Sequence, residues 1–340
     1  MNKITESQHR IEQLYYDTCG KCYVSFSGGK DSTVVLAIVK QCQELGTVGD
    51  IPAVYCDTGI ELGVTRDFVR WCRDSGWYKN IQIIRPEKSF DWVLKNKGKP
   101  LRSKLKSHCL HQWQCGSRTP KLLLLLLNNG DANGKQYNRS KIADRDMHFL
   151  HDDFPITASD ECCNLLKKKP FKKYNEENGM KGNLQGIRMA EGGVRSINVL
   201  MCDTPCTVIK GDGFIQKYPL IDWTDEDLKD FIKKYDVPLS KAYTEYRLER
   251  TGCMGCPFAK NVTASLEYLY EHEPQRYKAS MHWLKDVYIA QNVQIQFDNS
   301  YEREREREWQ VIFEPMRQEM LRKYRPDSRL IKHIEEMKLF

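Results

Sequence analysis

The sequence predicts an α/β fold, a parallel sheet flanked by helices, with a helical C-terminal region. Three observations predict it. Short β-rich runs alternate with helical patterns through the first quarter of the chain. One of these runs leads into Ser27-Gly28-Gly29-Lys30-Asp31-Ser32 and from there directly into an apolar helical stretch. Beyond Pro257 nearly every stretch reads as helix. At 340 residues the chain is long enough for two domains. The pattern divides it into an α/β domain over 1–257, with an insertion near 128–158, and a helical region over 258–340.

The elements follow in order. The first 20 residues read as a polar amphipathic helix. Cys22 to Phe26 reads as a strand, and Thr33 to Val39 as a buried helix. Ile51 to Cys56 is the second strand, 63–74 a helix, and Ile81 to Ile84 the third strand. Residues 128–158 are polar and aperiodic, which predicts a long loop. A strand is expected at 183–187 and extended chain at 208–218. Thr224 caps a helix over 225–235. The C-terminal helices are expected at 263–273, 276–290, 302–323 and 328–338. The alternating run Glu302-Arg303-Glu304-Arg305-Glu306-Arg307-Glu308 reads as a solvated helix face.

Lys and Arg number 53 against 46 Asp and Glu, a formal charge of +7. That suits a polyanionic substrate without coating the chain in positive charge. Residues 85–121 are far more basic, with ten Lys or Arg against Glu87 and Asp91. Such a segment is either a lysine-rich surface or a contact for DNA or RNA, with Trp92 and Trp113 as core or stacking residues. The longest apolar run, Leu122 to Leu127, is too short to span a membrane. The first residues carry no apolar export signal, so a cytoplasmic location is expected. There the 13 cysteines stay reduced.

The glycine loop is the most informative local feature. Its two glycines let backbone approach a ligand with no Cβ in the way. The first amides of the following helix lack internal partners and face an anion, phosphate above all. Ser27 and Ser32 add hydroxyls, Lys30 adds positive charge, and Asp31 could orient a hydrated Mg²⁺. The spacing is not that of a Walker loop. Asp57-Thr58-Gly59-Ile60-Glu61 follows the second strand, at the carboxyl end where parallel sheets bind ligands.

Strand-Ser-Gly-Gly-Lys-Asp-Ser resembles the PP-loop of the ATP pyrophosphatase superfamily, with the adenine-nucleotide α-hydrolase type of fold. There the loop holds the pyrophosphate end of ATP. The segment 57–61 is similar to the Asn/Asp-Thr-Gly segment of the phosphoadenylyl-sulfate (PAPS) reductase branch, so Asp57, Thr58, Gly59 and Glu61 would line the nucleotide. Gly186-Ile187-Arg188, with Arg195, resembles that branch's Gly-x-Arg segment, which would put Arg188 on the α-phosphate. Tyr218-Pro219-Leu220 with Trp223-Thr224 matches as well. The resemblance covers roughly residues 10–260.

Cys162-Cys163 and Cys253-Met254-Gly255-Cys256 are the most informative cysteines. Spacing alone leaves three readings: a zinc site, core thiols or iron–sulfur ligands. Their surroundings, Lys167 and Pro170 after the first pair and Arg250-Thr251-Gly252 before the second, resemble the [4Fe–4S] pattern of adenylyl-sulfate reductases. The resemblance therefore implies that Cys162, Cys163, Cys253 and Cys256 ligate one [4Fe–4S] cluster. Cys19 and Cys22 read as structural. Cys109 and Cys115, near His108 and His111, are either structural or a second metal site. Cys42, Cys56 and Cys72 read as core.

Two departures from the reductases shape the expected function. No cysteine follows Cys256, where they carry a catalytic thiol, and the loop is intact, as ATP-cleaving members keep it. The leading expectation is an ATP-dependent sulfurtransferase, AMP- and pyrophosphate-forming, nearest in logic to the DndC-type enzyme of DNA phosphorothioation. It would use ATP, Mg²⁺ and the cluster, with a sulfur-donor protein or sulfide as partner and DNA or RNA as one candidate acceptor. Lys30, Asp31 and Arg188 would be catalytic. One alternative is an adenylyl-sulfate or PAPS reductase using an external thiol. Another is a nucleotide-binding regulator without catalysis.

Overall fold

The computed structural model describes residues 2–127, 140–191 and 206–325. The chain forms two compact units, each made of two segments: 1–87 with 166–252, and 88–165 with 253–340. This partition cuts across a division at 257/258. Residues 88–165 belong with the C-terminal helices because that is where their apolar side chains pack; the turn Asp144–Leu150 lies along the helix Glu314–Tyr324.

The first unit carries the sheet. Its helices are α1 (Lys3–Asp17), α2 (Lys30–Glu44), α3 (Gly63–Asp74), α4 (Lys169–Asn178) and α5 (Asp225–Lys234). Its strands are β1 (Cys22–Ser25), β2 (Ala53–Cys56), β3 (Ile81–Ile84), β4 (Gly182–Leu184), β5 (Thr207–Ile209) and β6 (Ile215–Lys217). The order across the sheet is β3-β2-β1-β4-β6-β5. All neighbours run parallel except β5, which pairs antiparallel with β6 at the edge. The expected α/β class is thus what the chain adopts.

Burial explains the strength of the pattern. Val34, Val35, Leu36, Ile38 and Val39 of α2 are all fully buried, so this helix is apolar on nearly every side. Each such side chain contributes about 1.5–3 kcal/mol on leaving water. Ile11 and Leu14 of α1, Val69 and Cys72 of α3 and Phe231 of α5 close the same core. Cys42, Cys56 and Cys72 are buried, as expected. β1 sits between β2 on one side and β4 on the other, so the order in which strands are added reverses around it. Parallel sheets bind ligands beyond the carboxyl ends of strands at such a point. Here the glycine loop follows β1, and Gly186 to Arg188 follow β4.

The second unit is helical, with helices Phe90–Lys97, Lys104–Gln114, Pro120–Leu127, Val262–His272 and Pro274–Ala290. The helix expected over 302–323 runs from Asn299–Glu308 through a π turn, Trp309–Phe313, into Glu314–Tyr324. The helix expected at 328–338 lies outside the described residues, as does 128–139 of the expected loop. The rest of that loop contains a 3-10 helix, Asp144–Leu150, whose Met147, His148, Phe149 and Leu150 are buried. Its three-residue period escapes a search for 3.6-residue spacing. His148 donates from Nε2 to the Ala290 carbonyl at 2.7 Å, among the rings of Phe149, Phe154, Trp309 and Phe313.

Candidate functional site

The loop after β1 is organised by its own residues. Gly28 has φ +72°, and a Cβ there would lie 2.9 Å from methyl groups of both Thr65 and Val69. Only glycine fits so tight a left-handed position. Gly29 is the N-cap of α2 and offers no side chain to its first amides. Ser27 Oγ and Ser32 Oγ lie 3.0 Å apart, and Ser32 Oγ donates to the Gly29 carbonyl at 2.9 Å. The Gly29 amide donates to Ser27 Oγ at 3.3 Å. Lys30 Nζ lies 3.6 Å from Asp31. The result is a closed backbone cradle at the N-terminus of a 15-residue helix, with a lysine at its rim.

Arg188 does not point a free guanidinium at this cradle. It is 1% exposed, and its fork is shared between Asp31 at 2.5 Å and Asp225 at 2.7 Å. Its remaining Nη1 donates to the Trp223 carbonyl at 3.3 Å. Asp31 is therefore held as a carboxylate partner of Arg188. Gly186 makes the approach possible: a Cβ there would lie 2.8–2.9 Å from the backbone of Asp31 and Ser32. On this geometry Arg188 ties the glycine loop, through Asp31, to Asp225. Arg195 lies outside the described residues.

Glu61 is buried and accepts from the Thr58 amide at 3.1 Å and from Thr58 Oγ1 at 2.5 Å. Asp57 accepts from the Gly59 amide at 3.3 Å and pairs with Arg85 at 3.5 Å. Gly59, at φ +81°, has open space where a Cβ would be. A cavity of about 140 Å³ lies between these segments, lined by Ser27, Tyr55, Glu61, Thr65, Lys167 and Thr251 among others. The Tyr55 hydroxyl and Thr65 Oγ1 are buried without a hydrogen-bond partner. Unmet polar groups on a cavity wall are a standing demand for a ligand or water.

The sequence reading overlooked two residues beside the loop. Tyr243 OH lies 3.0 Å from Thr251 Oγ1, and both approach the Cα of Gly29 closely enough to meet a Cβ there. Burial raises the Tyr243 phenol above its usual range, while its bonds to Thr251 and the Lys30 amide oppose the shift. Tyr243 sits in a single-turn helix, Lys241–Thr244, that no motif announces.

The cysteines lie in the second unit. Cys162 and Cys163 are the last two residues of the short helix Glu161–Cys163, and Cys253 and Cys256 stand at the ends of a turn in which the Cys256 amide donates to the Cys253 carbonyl at 3.3 Å. Gly255 permits that turn, with φ +58° and the Tyr288 hydroxyl packed against it. A hydrogen bond with Cys163, burial, and the neighbouring thiols of Cys163, Cys256 and Cys253 push the Cys162 thiol far above its usual range. The four cysteines are therefore neighbours. Even so, among the described residues no three His, Cys, Asp or Glu side chains are gathered closely enough to hold a metal ion. Neither the expected cluster nor the expected Mg²⁺ has a formed ligand set here. His111 Nε2 lies 3.7 Å from Cys115 and His108 lies 3.6 Å from Asp160, but Cys109 is buried, so these groups form no metal set either. Cys22 is buried, its thiol pushed up to about 11 by burial, whereas Cys19 is exposed.

Five of the ten basic residues of segment 85–121 have carboxylate partners. Arg85 pairs with Asp57, Lys95 with Asp91, Lys99 with Asp286, Arg102 with the buried Asp146 and Arg118 with Asp152. Trp113 is core, its Nε1 donating to the Leu150 carbonyl. Nothing in this geometry marks the segment as a track for DNA or RNA. No described helix is long and apolar enough to cross a membrane.

The family profile described as the phosphoadenosine phosphosulfate reductase domain matches residues 21–119 and 118–259. An uncharacterized protein of Methanocaldococcus jannaschii is 23% identical over 270 residues, covering 77% of this chain and 48% of the relative. The chain thus spans about half the length of that curated relative. The crystal structure of PAPS reductase from Candida auris, a phosphate complex, aligns with 73% of this chain and 87% of its own, at 16% identity and a TM-score of 0.43. The profile match takes in the glycine loop, the 57–61 segment, Gly186 to Arg188 and all four clustered cysteines, and on that extent the chain belongs to the phosphoadenosine phosphosulfate reductase domain family.

Proposed function

We propose that this chain is an enzyme of its family that binds an adenine nucleotide and acts at the 5′-phosphate. The observation that carries the reading is the preformed loop at 27–32, opening beside a cavity with unmet hydroxyls. In this reading Gly28, Gly29 and the first amides of α2 cradle the phosphate chain. Lys30 neutralises it, and Ser27 and Ser32 hold the cradle. Glu61, fixed by Thr58, bounds the side of the site toward β2. Arg188 acts through Asp31 as a positioning residue.

The family match favours a sulfonucleotide substrate. An external thiolate would attack the sulfur of the phosphosulfate and AMP or its 3′-phosphate form would leave. A second thiol would then release sulfite, and the two thiols would end as a disulfide. A second reading rests on the loop itself, whose intact Ser-Gly-Gly-Lys-Asp-Ser suits a pyrophosphate. There ATP would activate an acceptor oxygen, pyrophosphate would leave, and sulfur from a donor protein or sulfide would displace AMP. Mg²⁺ would offset the phosphate charge when bound. The acceptor, nucleic acid or small molecule, belongs to that reading alone.

The four neighbouring thiols support a further part of the proposal, a [4Fe–4S] cluster on Cys162, Cys163, Cys253 and Cys256. Their donor set suits iron–sulfur, and the Cys-x2-Cys turn is built, though ligand geometry is not. One experiment tests all of this. Protein purified without oxygen is assayed for iron, then given ATP, adenylyl sulfate and PAPS with dithiol. Sulfite release supports the reductase reading, and AMP with pyrophosphate supports the transferase. About four irons per chain, lost in Cys253→Ser and kept in Cys42→Ser, supports the cluster. No nucleotide turnover and no nucleotide binding would end the reading.

A further inference from the structure

A second pocket lies in the sheet-bearing unit, with a volume of about 390 Å³. It is lined by Tyr55 of β2, Asp57, Ile83 of β3, Arg85, and Arg66, Arg70 and Arg73 of α3. The three helical arginines are spaced four and three residues apart, which places them on one face. Arg85 joins them from the chain after β3. Four arginines thus line a concave site that contains a single carboxylate, Asp57.

The surrounding acids do not cancel this charge. Asp74 pairs with Arg73 at 2.8 Å and Asp67 lies 4.0 Å from Arg70, and both are well exposed. Such exposed pairs are weak and yield readily to a stronger anion. Asp57 is itself only 11% exposed and lies 3.5 Å from Arg85, so one carboxylate stays in the pocket beside four arginines. Arg66 Nε is buried with no hydrogen-bond partner. The hydroxyl of Tyr55, a residue 97% buried by its 3% exposure, is also without one. A buried donor on a guanidinium and a buried phenol are rarely left unmet unless something arrives to meet them.

We propose that this pocket binds a phosphate monoester, with Arg66 and Arg70 gripping the phosphate oxygens and Tyr55 donating a hydrogen bond to it. Arginine forks grip phosphate oxygens two at a time. The volume exceeds a bare phosphate and leaves room for a sugar-sized group against Val69 and Ile83. A concave site that ends on a buried phenol suits a terminal dianion on a small molecule better than the passing diester of a nucleic acid. Tyr55 also lines the cavity beside Ser27 and Glu61, so the two sites share one wall. The inference goes beyond the nucleotide reading and does not depend on it.

Ribose 5-phosphate is the probe, titrated by calorimetry into the full chain, with inorganic phosphate and a short DNA duplex alongside. Ribose 5-phosphate should bind saturably and more tightly than inorganic phosphate. The double variant R66Q/R70Q should weaken it at least about tenfold, and Tyr55→Phe several-fold, in line with charged and neutral hydrogen bonds respectively. ATP binding at the glycine loop is measured in R66Q/R70Q and should be unchanged, which separates this site from that one. Should the variants fail to fold, phenylglyoxal labelling of the wild type replaces them: ribose 5-phosphate should protect Arg66 and Arg70 from modification. Absence of saturable binding, equal binding by wild type and R66Q/R70Q, no protection, or tighter binding of the duplex than of the sugar phosphate would overturn the proposal.

Discussion

The glycine loop and the cysteine set were both legible as motifs, yet they reach the folded chain in different states. Residues 27–32 hold their shape through bonds among Ser27, Gly29 and Ser32, all within six positions of one another. The cysteines come in two pairs about 90 residues apart, and although the fold makes them neighbours, it does not bring three of them into ligating reach. A backbone anion site is a local property: a strand, a left-handed glycine and a helix start suffice. A four-thiol site is a tertiary property, and thiolates packed without a cation repel one another. The thiol of Cys162 is raised by a hydrogen bond with Cys163 and by burial, and the neighbouring thiols add to both.

The largest expected effect breaks the first half of this comparison. Gly28→Val places a branched side chain at φ +72°, against Thr65 and Val69. The loop cannot keep its path, and nucleotide affinity should fall at least about 100-fold, the loss of several charge-assisted bonds at once. Gly76→Ala is the control, since it has the same φ of +72°, its Cβ meets nothing and only backbone strain of about 1 kcal/mol follows. Calorimetric titration with ATP separates them. If Gly28→Val binds as well as wild type, the loop is not the nucleotide site.

That asymmetry also explains what the sequence showed and what it hid. The strands β1 to β3, the helix α3 and the capped helix α5 were readable because each repeats a local rule of apolar spacing or capping. The positions of Gly28 and Gly29 were readable for the same reason. The fate of Arg188 was not. Its sequence neighbours suggest a phosphate contact, but the partners that use its fork, Asp31 and Asp225, lie 157 and 37 residues away. Tyr243 was hidden likewise, because its role depends on where a single-turn helix lands. The pairing of charges in segment 85–121 was hidden for a related reason. A sequence counts Arg102 as a free cation, whereas the fold pairs it with Asp146, which is fully buried. Units made from two chain segments are equally invisible to a reading that divides the chain once.

A smaller effect sharpens the contrast between the two units. His148 lies in the cysteine-bearing unit, its pKa lowered to about 4 by burial, against the hydrogen bond to Ala290. Above pH 6.5 the ring is neutral whether folded or not, and it adds no pH dependence. As the pH falls from 6.5 toward 4, the unfolded chain takes up a proton that the folded one refuses. Stability should therefore drop across that window, by about 3 kcal/mol in all. His148→Phe keeps the aromatic packing and removes the titration. Urea unfolding followed from pH 7 to pH 4 should show a steeper loss in wild type than in the variant. Parallel slopes would mean that the ring protonates freely in the folded state.

The smallest effect probes the other unit at a point close to the loop but outside it. Thr224 and Asp227 form a reciprocal capping box at the start of α5, with Asp227 Oδ2 accepting from the Thr224 amide at 2.7 Å and Thr224 Oγ1 accepting from the Asp227 amide at 3.2 Å. Thr224→Ala removes the hydroxyl half of that box. The cost should be about 1 kcal/mol, a fall in Tm of about 2–4 °C for a chain of this size. Asp225 is the first residue of α5 and shares Arg188 with Asp31. If the helix start stays in place, nucleotide affinity should not change. The pH dependence adds a second readout. A hydrogen bond from Lys3, then the Thr224 amide, hold the Asp227 carboxyl down at about 2. A lowered carboxyl stabilises the fold above its unfolded value near 3.8, and that contribution is lost as the pH falls through about 2. The stability gap between wild type and Thr224→Ala should therefore be constant from pH 7 to about pH 4 and narrow below it. A gap that narrows already near pH 6 would assign the capping energy to a group other than Asp227. A loss of ATP affinity in Thr224→Ala would show that the start of α5, through Asp225 and Arg188, governs the shape of the glycine loop.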